Sequence, residues 1–260
     1  NVTARTGRPF VKRFREEREL TVMLLVDASS SGQFGSQGRT KSDLSAEVCA
    51  VLAFSAIKNN DKVGLLIFTD RVEKFVPPKK GKQHVLRVIR ELLAFQPESP
   101  RTDIRLALQY LSQVTTRRCV TFLVSDFISE GYEKALRIAN RRHDIIAVRV
   151  IDPREMGLPE PEQPPAPLRL LGPAGRWIWG LFQPPAIFEL EDAETGETLL
   201  VDTRDPNTLR GFGLLSQNQV QQSGEYFRSI GVDSIEIRTD RPYTDILLRF
   251  FRMRERRMRA

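Results

Sequence analysis

The chain has 260 residues, 40% of them hydrophobic and 28% charged, a composition that can bury a proper globular core. No stretch approaches the roughly 20 apolar residues needed to span a bilayer, and no charged-then-apolar leader opens the chain, so neither a membrane span nor export is expected. The net charge of +7 is concentrated at the two ends, over residues 5–18 and 249–259, without the interleaved aromatics that a base-stacking platform requires.

The chain opens at Asn1 without Met and runs into a charged segment, so residues 1–19 are expected to be the remnant of a longer N-terminal segment. Residues 20–26 form a continuous apolar run rich in β-formers, the pattern of a strand buried on both faces. A Ser/Gly-rich loop follows from Asp27 to Gly38. Asp43 is then expected to cap a helix with Leu44, Val48, Val51 and Leu52 on one face. Residues 63–68 are a second buried strand. The alternation over 71–76 predicts an edge strand closed by Pro77-Pro78. Helical spacing returns at Val85, Ile89 and Leu92 and again at Ile104, Leu108 and Leu111. A strand over 119–124 ends in Ser125-Asp126, a helix covers 132–142, and a strand over 145–151 stops at Asp152-Pro153. Cys49 and Cys119 fall inside these apolar patterns and make neither a metal motif nor a disulfide framework. They read as small buried hydrophobes of a reducing compartment, and the expected address is cytoplasmic.

This alternation of strands and helices predicts an α/β fold: a doubly wound, mostly parallel sheet with helices on both faces. One domain over 20–260 is expected, with an insertion at about 157–203. Proline is frequent over 157–185, and Trp177, Trp179 and Phe182 read as a lid on the body's own surface. Residues 187–201 read as a hairpin. Asp205-Pro206 starts a helix that runs to about Ile230, a last strand covers 232–237, and Tyr243, Ile246, Leu247, Phe250 and Phe251 stripe a terminal helix.

Three segments carry the chemistry: Asp27-Ala28-Ser29-Ser30-Ser31, Thr102-Asp103 and Ser125-Asp126. Each lies where a strand ends or a helix begins, and open α/β sheets bind ligands beyond the carboxyl ends of their strands, where strand order reverses. Asp27 and Asp126 are expected to face one crevice there, with the Thr102 loop reaching over it. Hydroxyl and carboxylate oxygens suit a hard cation, Mg²⁺ first, with Mn²⁺ or Ca²⁺ as substitutes.

Asp-x-Ser-x-Ser after an apolar strand, Thr-Asp before a helix and Ser-Asp ending another strand resemble the metal-ion-dependent adhesion site of von Willebrand factor A domains. More narrowly, the opening residues 1–12, the loop from Asp27 to Gly35 and Asp192-Ala-Glu-Thr-Gly-Glu197 resemble the bacterial domain-of-unknown-function family fifty-eight. The resemblance implies metal ligands at Ser29, Ser31 and Thr102, with Asp27 and Asp126 binding directly or through water. The partner-contacting residues expected beside them are Gln33, Phe34, Asp103 and Phe127. It also implies a protein partner presenting an acidic residue, and an adaptor role beside a MoxR-type AAA+ ATPase in a chaperone-like or complex-maturation assembly.

An enzyme is not expected. A phosphoryl-transfer or phosphatase-like reaction on Asp27 with Mg²⁺ is the alternative, but such sites usually carry a second Asp two residues on, where this chain has Ser29. No lysine falls in a motif that complements Asp27, no phosphate-binding Gly-rich loop or nucleophile elbow occurs, and His84 and His143 read as surface residues. Nucleic-acid binding through the basic terminal helix is a second alternative; an amphipathic helix packed on the body accounts for the same pattern.

Overall fold

The computed structural model describes residues 19–33, 35, 38–155, 167, 170–174, 178, 187–191, 198–202 and 206–259. The expected Trp177/Trp179/Phe182 lid, Phe34 and the residues before Glu19 lie outside them. The elements, in chain order, are β1 (Thr21–Asp27), α1 (Lys41–Lys58), β2 (Lys62–Phe68), β3 (Val72–Lys79), α2 (Lys82–Leu93), α3 (Ile104–Val114), β4 (Val120–Ser125), α4 (Glu133–Arg142) and β5 (Asp144–Ile151). After these come β6 (Ile187–Glu191), β7 (Thr198–Asp202), α5 (Pro206–Ser229), β8 (Asp233–Arg238) and α6 (Thr244–Arg259).

Six strands form one sheet in the order β3-β2-β1-β4-β5-β8, while β6 and β7 pair as a separate antiparallel hairpin. Every pairing in the large sheet is parallel except β2 with β3. This is the doubly wound arrangement that the alternation of elements predicts, and its strand order reverses between β1 and β4. The alternation of β1 explains the two layers. Val22, Leu24 and Val26 point to a core shared with α1, α2 and α6, while Met23 and Leu25 point to one shared with α3, α4 and α5. Strands buried on both faces must be apolar there, as β1 is from Val22 to Val26 and β2 from Val63 to Phe68.

Three local expectations change. The cap of α1 is Thr40, whose hydroxyl accepts the Asp43 N–H while Asp43 accepts the Thr40 N–H, a reciprocal capping box rather than a cap by Asp43 itself. Val51 of α1 is exposed rather than core-facing. Finally, β3 runs on through Pro77 and Pro78 instead of stopping before them; a register shift between its partners Val63 and Leu65 absorbs them, and an edge strand has an outer row of N–H groups it need not donate.

Candidate functional site

The sheet places β1 and β4 side by side, so that Asp27 and Ser125-Asp126 emerge together at their carboxyl ends. Asp27 is half-buried, and its two oxygens are divided among hydroxyls and one amide. Oδ1 accepts the Ser29 N–H at 3.0 Å and the Thr102 hydroxyl at 3.2 Å; Oδ2 accepts the Ser125 hydroxyl at 2.7 Å. The chain past Asp27 turns at once into a short 3₁₀ segment, Ser30–Gln33. That turn brings Ser29 Oγ and Ser31 Oγ to 3.0 Å from each other, with Ser29 fully buried. The loop is pinned from two directions. Ser30 donates its N–H and its hydroxyl to the Pro100 carbonyl, both at 3.0 Å, and the Asp103 N–H donates to the Thr69 carbonyl at 3.0 Å. Gly35 closes the loop: a Cβ there would lie 2.6 Å from Thr40 Cα, so no larger residue fits without moving backbone.

The five expected ligands therefore converge from three segments, but not all in one state. Asp27, Ser29, Ser31 and Thr102 form one hydroxyl-carboxylate cluster. Asp126 turns its Oδ2 to the Lys41 ammonium at 2.8 Å, and its Oδ1 accepts the Ile128 N–H at 3.2 Å. Lys41 also reaches Glu155 Oε1 at 2.6 Å. A cavity of about 20 Å³ lies between these groups, walled by Asp27, Ser29, Ser31, Lys41, Ser125 and Asp126.

The electrostatics follow from burial. Loss of water pushes the Asp27 carboxyl up from 3.8 to about 6, the nearby Asp126 charge adds to the rise, and the bonds from Ser29 and Ser125 oppose it. Lys41 is buried, which disfavours its charge most strongly, yet Asp126 and Glu155 together outweigh that and hold its pKa above the ordinary lysine value. Burial raises the Glu155 pKa against the pull of Lys41.

Of the four expected partner-contacting residues, Gln33 is exposed and Phe34 lies outside the described residues. Asp103 caps α3 by accepting the Leu106 N–H at 3.1 Å, and its other oxygen pairs with Arg105 at 3.0 Å. Phe127 is a correction. It is 3% exposed, with its ring packed on Phe227 and Tyr132 at 5.0 and 5.8 Å, so it serves the core and not a partner. Its φ of +60° is a strained conformation for an aromatic residue, held by its N–H bond to Ser125 Oγ and by that ring packing. His143 is corrected too: it is buried, with Nδ1 at 3.3 Å from Cys119 Sγ, and burial lowers its pKa.

Sequence reasoning missed Ser125, Lys41 and Glu155. Ser125 belonged to a motif already singled out. Lys41 carried a signal of its own: a cation in the first turn of a helix opposes the helix dipole, which points to a nearby carboxylate.

A family model described as "Protein of unknown function DUF58" matches residues 1–163, more than half of the chain. The chain belongs to that family. Among the proteins similar to this DUF58 member is "Uncharacterized protein Rv1480" of Mycobacterium tuberculosis, 28% identical over 259 residues, 98% of this chain and 74% of that one. "Uncharacterized protein MAV169" of Mycobacterium avium is 26% identical over 185 residues, 70% of this chain and 94% of that one. Among solved structures, the conserved hypothetical protein BatB of Bacteroides thetaiotaomicron aligns over 88% of this chain and 94% of its own, at 12% identity and a TM-score of 0.49. Proximal thread matrix protein 1 of the mussel byssus, in a form with a zinc-occupied MIDAS motif, aligns over 51% of this chain and 38% of its own, at 14% identity and a TM-score of 0.41.

Proposed function

We propose that this chain is a non-enzymatic protein-interaction module that works through one divalent cation, Mg²⁺ first and Mn²⁺ or Ca²⁺ as substitutes. One observation carries the reading. Asp27 is a half-buried carboxylate ringed by the hydroxyls of Thr102 and Ser125 and the Ser29 amide, and no basic side chain pairs with it among the described residues. A carboxylate drawn out of water without a counter-charge is costly, and the all-oxygen donor set around it suits a small hard cation.

On this reading Asp27, Ser29, Ser31 and Thr102 hold the ion, with Asp126 adding charge from across the cavity. The cation supplies an open coordination position for a carboxylate from outside the chain. The residues do the rest. Ser29 and Ser31 are pre-positioned by the 3₁₀ turn, Ser125 fixes the far oxygen of Asp27, and the Ser30–Pro100 bonds keep the Thr102 loop in register. Gln33 stands exposed at the rim as a contact for the partner. The proposed partner presents an acidic residue, and a MoxR-type AAA+ ATPase in a chaperone-like or maturation assembly is the first to test. Against a phosphoryl-transfer reading, both Asp27 oxygens already accept hydrogen bonds, and Ser29 stands where such sites usually carry a second Asp.

The test is calorimetry of Mg²⁺ and Mn²⁺ into chelator-stripped protein beside an Asp27→Ala/Ser29→Ala double variant. Saturable uptake near one ion per chain, lost in the variant, supports the site. Equal uptake by both proteins would sink it.

A further inference from the structure

Lys41 is a charged wall of the Asp27 cavity that the metal reading leaves unexplained. It is the first residue of α1 and only 2% exposed, and its ammonium lies 2.8 Å from Asp126 and 2.6 Å from Glu155. Nothing in α1 calls for a lysine there. The helix dipole places partial positive charge at that end, and the Thr40–Asp43 capping box already satisfies the helix start. Burying an ammonium is expensive unless good partners meet it, so the reason for Lys41 lies in the carboxylates it meets.

Asp126 lines the cavity, and Glu155 reaches it through Lys41. Asp126 ends the Ser125-Asp126 turn beside Asp27, and Glu155 closes the 3₁₀ turn Pro153–Glu155 that follows β5. Three carboxylates and one ammonium leave the cluster with two net negative charges, which a single divalent ion cancels. Without Lys41 the same groups would carry three. An entering divalent ion would then leave the site still negative, and a carboxylate arriving from outside would meet repulsion.

We propose that Lys41 is a tethered internal cation that sets the charge of the site: it engages Asp126 and Glu155, leaves Asp27 as the carboxylate open to an entering ion, and limits uptake to one divalent cation held loosely enough to accept an outside carboxylate. This rests on the metal-site reading above. It makes Lys41 and Glu155 positioning residues of opposite sign. Lys41 weakens cation binding in exchange for a neutral loaded site, and Glu155 strengthens it.

The experiment is calorimetry of Mn²⁺ alone into chelator-stripped wild type, Lys41→Met and Glu155→Gln, each checked for a cooperative thermal transition. Met keeps the length and apolar stem of lysine without its charge. We expect Lys41→Met to bind Mn²⁺ about tenfold more tightly and Glu155→Gln several-fold more weakly, from one unit of charge at close range. A loosened fold would weaken both, so opposite signs separate the charge role from a structural one. Unchanged or weaker binding by a folded Lys41→Met overturns the proposal while leaving the metal site standing. If Lys41→Met does not fold without metal, Glu155→Gln decides, and unchanged or tighter binding there overturns it. Uptake by Lys41→Met but not by wild type would support Lys41 as the cation of the native site and sink the metal reading. No uptake by any of the three overturns both.

Discussion

Asp27 keeps its proton in the folded chain up to about pH 6, against 3.8 for an ordinary aspartate, because burial removes the water that would stabilise its charge. The folded state therefore holds a proton that the unfolded chain has lost between those two values. Stability from this group is fully present below about pH 4 and is lost as pH rises through about 6. In chelator, Asp27→Asn should flatten the stability-against-pH curve between pH 4 and 7 and raise stability at pH 8 on the order of 2 kcal/mol, read by urea unfolding at each pH. An unchanged slope would remove Asp27 as its source. Asp27 was legible because a carboxylate ending an apolar strand has few structural uses. Lys41 is legible only as a cation out of place at a helix start, because its partner Glu155 stands 114 residues away.

The elements show where local rules decide and where tertiary context does. The Thr40–Asp43 box is a local device, and Thr40→Ala should cost about 1 kcal/mol in denaturant unfolding by leaving the Asp43 N–H without its acceptor. Loss of much more would mean that the start of α1 is coupled to the Lys41 cluster beside it. The helix itself was legible from its apolar spacing, although its cap was placed three residues late, since Thr and Asp both qualify and only the reciprocal bonds tell them apart. Proline cannot donate to a ladder, so Pro77-Pro78 reads as a stop, yet β3 carries both at the sheet edge. Phe127, expected to contact a partner, has a left-handed backbone that turns its ring into the core instead. No sequence pattern reports that for a residue other than glycine.

For the molecule as a whole, α6 is where the basic end of the chain is put to use. Leu247 and Phe250 enter the core on the α1 side of the sheet, while Arg254 pairs with Asp144 and Asp233, and Arg257 with Asp233. Phe250→Ala should cost about 3 kcal/mol of global stability by urea unfolding, and a loss below 1 would mean that α6 is only loosely docked. The pairing of β1 with β4 at the switch point and both helical layers are legible in the alternation of elements, since parallel strands joined by helices leave few topologies. The three segments that meet at Asp27 have a consequence for folding order. Its carboxylate accepts hydroxyls from residues 75 and 98 positions further along the chain, so its environment exists only after the helical crossovers between β1, β2 and β4 have closed. A chain with misplaced strands has no such pocket. Occupancy of the pocket then draws on the finished topology alone, and whatever it binds shifts the midpoint of the entire transition rather than the fraying of one loop.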